Sequence, residues 1–209
     1  MSASSDLRKV RPVKWLTVTA MLMALNIAMS SFSIPVPGGH LYLNDAVICT
    51  AAILLDPLGA FIVGGVGAFL GDFFFYPAPM FVSLLTHGLQ AVVVSLCAHK
   101  LFADRRGRGA LVGVILGVVI NVVGYSIGRA FVYATPEAAM LKFPFQVFQA
   151  SFGAVVTVLR SVAIGPLSGS NLMLKVSFVP TFRFSLVAQC SFFASRRKMA
   201  TSLSSSGLK

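Results

Sequence analysis

Between Ala110 and Tyr133 the chain reads ALVGVILGVVINVVGYSIGRAFVY, a run in which Arg129 is the only charged residue. About 20 apolar residues in a helix cross the ~30 Å hydrocarbon core of a bilayer, so this stretch is long enough to span one. Working outward, apolar runs and short turns alternate along most of the chain. Asp104-Arg105-Arg106-Gly107-Arg108-Gly109, the only strongly polar interior linker, precedes the run. Before it lie Met80–Phe102, Ala60–Tyr76 ending at Pro77-Ala78-Pro79, Ala46–Leu55 closed by Asp56-Pro57-Leu58-Gly59, and Trp15–Ile34 followed by Pro35-Val36-Pro37-Gly38-Gly39. Proline lacks a backbone donor and glycine tolerates positive φ, so these closures read as turns. After it, a last run starts at Pro144, where proline suits a first helical turn, and ends near Ile164.

Composition agrees. The 209 residues are 56% hydrophobic and 11% charged, against a soluble norm of roughly 45–50% and about 25%. Mean hydropathy is +0.85. So few charges cannot clothe a soluble globule, and the length leaves no room for a separate catalytic or nucleotide-binding domain. The net charge of +11, from 17 Lys and Arg against 6 acids, sits in clusters beside apolar runs. That placement fits anionic lipid headgroups and topology signals, not nucleic acid. Cys49, Cys97 and Cys190 are odd in number and far apart, which indicates neither a disulfide frame nor a zinc site.

The expected fold is all-α: a polytopic bundle of six transmembrane helices over residues 15–165. A basic tail, 1–14, precedes it, and an atypical C-terminal tail, 166–209, disordered or peripheral, follows. The first run is too long for a signal-peptide core and lacks a small-residue cleavage site, so it reads as a retained helix. Arg8, Lys9, Arg11 and Lys14 in the tail, with Lys100, Arg105, Arg106 and Arg108 around the fourth-to-fifth linker, place both in the cytoplasm by the positive-inside rule. The loops around Gly38, Ala78 and Glu137 then face outward. In the tail, Pro180, Arg183 and Gln189 interrupt the apolar stretch near Val176, so it reads as non-spanning.

Polar side chains within a bilayer are costly, which makes their depth informative. Asp72 lies about one turn from the outer end of the third helix. His87 shares a face with Ser83 and Gln90 in the fourth. Asn121, Tyr125 and Arg129 recur every four residues toward the outer end of the fifth, and Gln146 and Gln149 share a face of the sixth. The first outer loop supplies His40, Tyr42, Asn44 and Asp45. Such convergence on one leaflet predicts an outward-facing pocket with a few polar groups. Blander roles stay open for each: Asp45 as a helix cap or first-turn acid, Asp72 and Arg129 as an ion pair, His87 bonding backbone, and the two glutamines as interhelical glue. Glu137 and Lys142 read as a solvated loop pair. Ala20, Ala24 and Ala28 form a small-xxx-small stripe that suits either internal packing against the sixth helix or a partner protein, and Gly64, Ala68 and Gly71 suggest tight internal contacts.

Taken in order, these features resemble the substrate-binding S components of energy-coupling factor (ECF) transporters, bacterial importers of vitamins. The resemblance covers roughly residues 12 to 165. It rests on the alanine stripe, the Pro-Gly-Gly loop leading to Leu43-Asn44-Asp45, Leu55-Asp56-Pro57-Leu58-Gly59-Ala60 with Gly64 through Asp72, Thr86-His87-Gly88-Leu89-Gln90, and Phe145-Gln146-Val147-Phe148-Gln149. It implies a multi-pass protein of the bacterial plasma membrane that captures a vitamin near the outer face and docks on a transmembrane coupling subunit driven by two ATPase subunits. The alanine stripe maps onto the docking motif. On this basis Asn44, Asp72, His87, Gln90, Asn121, Tyr125, Arg129, Gln146 and Gln149 are the candidate solute ligands, with His40 and Tyr42 as a lid. The solute expected is heteroaromatic, such as riboflavin or a thiamine-precursor pyrimidine. No cofactor, metal or catalytic residue is expected, and ATP hydrolysis must be borrowed because no Walker motif is present. The tail beyond Gly165 departs from the family pattern, as an appended segment or a frameshifted end.

Two rivals stand beside this. An intramembrane enzyme would use His87 and Asp72 as acid and base, yet the sequence lacks a second titratable cluster or a His-Glu-x-x-His spacing. A self-sufficient secondary carrier would need inverted repeats or a polar path through both leaflets, and neither is visible.

Overall fold

The computed structural model describes residues 12–32, 34–37, 39–101 and 106–164, all within one compact unit, Met1–Pro166. The expectations for the rest of the basic tail and for residues 166–209 lie outside the described residues. The described residues form six helices: α1 (Pro12–Ser30), α2 (Asp45–Leu54), α3 (Pro57–Phe75), α4 (Met80–Leu101), α5 (Arg106–Gly128, continued by a wider π-type turn Arg129–Tyr133) and α6 (Pro136–Ile164). A hairpin of β1 (Ile34–Val36) and β2 (Gly39–Leu41) joins α1 to α2, with Ile34 paired to Leu41 and Val36 to Gly39.

Several boundaries differ from the sequence expectation for identifiable reasons. The first helix stops at Ser30 instead of Ile34, because a residue before proline is pushed toward extended backbone, and Ile34 precedes Pro35. Gly39 closes the hairpin with φ near +146°, a conformation L side chains rarely adopt. The last helix starts two turns earlier than expected. Pro136, not Pro144, takes its first position, and Pro144 lies inside the helix on an exposed face. Lys14, expected in the tail, is already helical.

Among the described residues four helices are long and apolar enough to cross a membrane: α1, α3, α4 and α5 over Arg108–Tyr133. α2 has only 10 residues, about 15 Å of rise. Its first residue, Asp45, receives a hydrogen bond from Asn121, near the midpoint of the α5 span. The hairpin therefore fills the depth above α2. Non-helical backbone at that depth is tolerated where protein buries it or where it lines a cavity. α6 is 29 residues long, and its Glu137, Lys142, Gln146 and Gln149 dilute its apolar character.

α2 packs between α4 and α6, while α4 packs along α5 and α5 along α6. α1 lies against α3 and α2. Away from the hairpin, Ile48, Cys49, Ala52, Ala60, Ala91, Val94 and Val114 form a close-packed apolar core. Gly64 contributes the tight contact its sequence suggested: a Cβ there would meet the Ala91 side chain and the His87 carbonyl. Outside, Phe74, Phe81, Leu85, Ile127 and Leu159 are all exposed. A water-soluble surface could not carry so much contiguous apolar area, whereas lipid tails accept it without cost.

Candidate functional site

At the hairpin end, two polar layers lie one above the other. The lower is a closed network around Asp45. Its Oδ1 accepts from Asn121 Nδ2 at 2.8 Å and its Oδ2 from Gln149 Nε2 at 2.9 Å. Asn121 also donates to Gln90 Oε1 at 3.0 Å, and its own Oδ1 accepts from Gln146 Nε2 at 2.7 Å. His87 Nδ1 lies 2.9 Å from Gln90 Oε1 and 3.6 Å from the Asp45 carboxylate. Four helices and the segment leaving the hairpin meet here, because Gln149 Oε1 also accepts the backbone N–H of Tyr42, the residue after β2, at 3.0 Å. Asp45, His87, Gln90, Asn121, Gln146 and Gln149 are each at most 3% exposed. A buried polar group needs such partners, since leaving one unmade costs about 1–3 kcal/mol.

A branch runs through α3. Ser83 Oγ donates to Asp72 Oδ2 and lies 2.5 Å from the Tyr125 hydroxyl. Tyr125 packs edge-on against His87.

Above this network lies a cleft lined by the hairpin and the residue after it (Gly39, His40, Tyr42), the turn after α3 (Tyr76, Pro79), the end of α5 and the residue after it (Tyr125, Arg129, Tyr133, Ala134) and α6 (Lys142, Gln146, Gln149). Its free space is about 40 Å³, room for only a few waters. A vitamin-sized solute would therefore need the hairpin or its side chains to shift. Three buried polar atoms of this lining, His40 Nδ1, Tyr42 OH and Tyr133 OH, have no hydrogen-bond partner among the described residues. Burial, with the Asp72 charge adding to it, pushes the Tyr42 phenol well above its ordinary range, so it stays a neutral donor. Lys142 Nζ donates to the His40 carbonyl, strapping the hairpin to α6. The guanidinium of Arg129 stands 5.6 Å over the Tyr133 ring.

The structure thus sorts the sequence candidates. His40, Tyr42, Tyr125, Arg129, Gln146 and Gln149 line the cleft; His87, Gln90 and Asn121 lie beneath it, and Asp72 lies in the Ser83 branch. Asn44 is the residue before α2, and its Nδ2 reaches Ser30 at 3.5 Å. Asn44, not Asp45, holds the cap position; Asp45 is the acid of the first turn of α2, as one of its two expected roles had it, and is also the hub of the network. Asp72 and Arg129 do not pair. Lys142 corrects the expectation of a solvated loop pair: Glu137 is exposed, but Lys142 is 2% exposed and lines the cleft, because the helix extends past Pro144 and turns Lys142 inward one turn from Gln146.

Tyr76, Tyr133 and Lys142 were missed. For Tyr133 the signal was present, since it continues the four-residue spacing of Asn121, Tyr125 and Arg129. The buried Asn26 was missed too. It donates to the Val63 carbonyl at 2.7 Å, inside the wide π-type turn Ile62–Val66 of α3. Among the described residues no three His, Cys, Asp or Glu side chains gather as a metal site.

The alanine stripe faces outward. Val18, Leu22, Asn26 and Met29 form the buried face of α1, leaving Ala20 and Ala24 exposed and Ala28 half-buried. Internal packing of the stripe against α6 is thereby overturned.

Residues 11–164 match the family described as ECF-type riboflavin transporter, S component. UPF0397 proteins of Streptococcus agalactiae serotypes Ia, V and III are each 26% identical over 147 residues, 67% of this chain and 75% of theirs. In fold, the chain is similar to a structure titled "Structure and mechanism of the S component of a bacterial ECF transporter". The TM-score is 0.59 at 19% identity, over 74% of this chain and 96% of that one.

Proposed function

Because the chain belongs to the ECF-type riboflavin transporter S-component family, we propose that it captures a small heteroaromatic solute in the cleft beneath its hairpin for an ATP-driven importer. S components are membrane-embedded binding and transport subunits, not catalysts. The observation that carries the reading is the set of buried, unpartnered polar atoms on His40, Tyr42 and Tyr133, which converge on one cleft. Buried polar groups are otherwise almost always satisfied, so atoms left free around a shared cavity are suited to a bound molecule.

In this reading Tyr125, Arg129, Gln146 and Gln149 contact the solute, and the hairpin with His40 and Tyr42 is the lid. Asp72, His87, Gln90, Asn121 and Asn44 hold the floor in shape. The solute is of the riboflavin or thiamine-precursor pyrimidine kind. The outward face of Ala20, Ala24 and Ala28 docks on a coupling subunit, which two ATPase subunits drive. The amino terminus is cytoplasmic, supported by the clusters of Lys and Arg.

Mass spectrometry of small molecules retained by the detergent-purified chain tests the proposal. One heteroaromatic solute should be retained, and Gln149→Ala should lower its occupancy. Full retention in variants across the whole cleft lining would overturn the site.

A further inference from the structure

Arg129 and Lys142 are 5% and 2% exposed. Burying a charge is costly unless an opposite charge or several hydrogen bonds compensate it. Among the described residues neither side chain has a carboxylate oxygen within 4.0 Å; the contact of that kind in this region is His87 Nδ1, 3.6 Å from Asp45 Oδ1. The nearby carboxylates are engaged elsewhere, Asp45 by Asn121 and Gln149, and Asp72 by Ser83. Lys142 reaches a single backbone carbonyl, and Arg129 the Tyr133 side chain.

The two head groups also flank one point. A Cβ placed on Gly39 would lie 3.7 Å from Lys142 Nζ and 3.8 Å from Arg129 Nη2, so glycine leaves open a space between them. The unpartnered Tyr42 and Tyr133 hydroxyls belong to the same lining.

We propose that the captured solute carries an oxyanion, a phosphate ester or a carboxylate, seated between Arg129 and Lys142 beside the Tyr42 and Tyr133 hydroxyls. This rests on the reading of the cleft as the solute site. A guanidinium offers paired N–H donors matched to such oxygens, and an ammonium adds a second charge and further donors. A neutral ring would leave both cations uncompensated, and a cationic solute would be repelled.

Matched pairs that share a ring and differ in the oxyanion test it: riboflavin against riboflavin 5′-phosphate, hydroxymethylpyrimidine against its phosphate ester, and nicotinamide against nicotinate. Affinities are measured by calorimetry on the full chain in detergent. In at least one pair the anionic member should bind at least about tenfold tighter. Arg129→Gln and Lys142→Gln should each pull that ratio toward one, while Arg129→Lys, which keeps the charge, should retain more of it. Elution as a single species shows that each variant is folded. Preference for the phosphate esters identifies a phosphoryl group, and preference for nicotinate a carboxylate. Neutral members binding as well as or better than their partners would overturn the oxyanion and leave the solute site standing. No binding of any of the six would overturn the solute reading and the inference with it.

Discussion

The two polar layers at the hairpin end differ in residue type, acid and amides below against cations and phenols above, and stand in opposite states. Below, Asp45, Gln90, Asn121, Gln146 and Gln149 are tied to one another across four helices. Above, among the described residues, Arg129 and Lys142 meet no carboxylate, and Tyr42 and Tyr133 end on hydroxyls without a partner. A satisfied buried network fixes the relative placement of helices, and in lipid it does so where the hydrophobic effect between helices is absent. A set left unsatisfied costs stability and holds its hydrogen-bonding capacity for something else. The lower layer therefore belongs to stability, with Gln146 and Gln149 also forming the floor of the cleft, and the upper to binding.

Substitutions can break that division. Asp45→Ala should have the largest effect, because it strands the donors of Asn121 and Gln149 in a dry interior. A loss of about 1–3 kcal/mol for each stranded donor is expected, read as a steep fall of the thermal midpoint in detergent. Gly153→Ala should come next. An added Cβ there would lie 2.6 Å from the Asp45 Cβ and 3.1 Å from the backbone nitrogen of Ala46, forcing α2 and α6 apart at a cost of about 1–3 kcal/mol.

Tyr133→Phe removes one unpartnered hydroxyl. Stability should change by less than about 0.5 kcal/mol, while solute affinity falls roughly fivefold to tenfold. If its melting temperature dropped as far as that of Asp45→Ala, the two layers would not be distinct. Ala24→Trp, on the outward face of α1, should change neither melting nor solute binding and yet abolish uptake by the assembled transporter. Lost binding in that variant would tie the stripe to the interior.

Much of the fold was legible in the chain. Runs such as Ala110–Tyr133 leave few alternatives to membrane helices, and the crowding of polar residues toward one end marked where the cleft lies. The hairpin was harder to see, because three-residue strands carry too short a pattern to stand out from a Pro-Gly turn. Lys142 was misread because a lysine near an outer loop and a glutamate is ordinarily solvated, and nothing local shows that the helix continues through Pro144 and turns it inward.

Hydropathy and charge placement, which depend only on residue type and order along the chain, determined that this is a helical membrane protein and which helices bear polar groups. Whether a given polar group is consumed by another or left facing open space depends on partners far away in sequence, such as Asp45 with Asn121 and Gln149, or Gly39 with Arg129 and Lys142. Only the tertiary structure decided that, because hydrogen bonds and charge pairing act over a few ångströms between atoms that the chain order does not bring together.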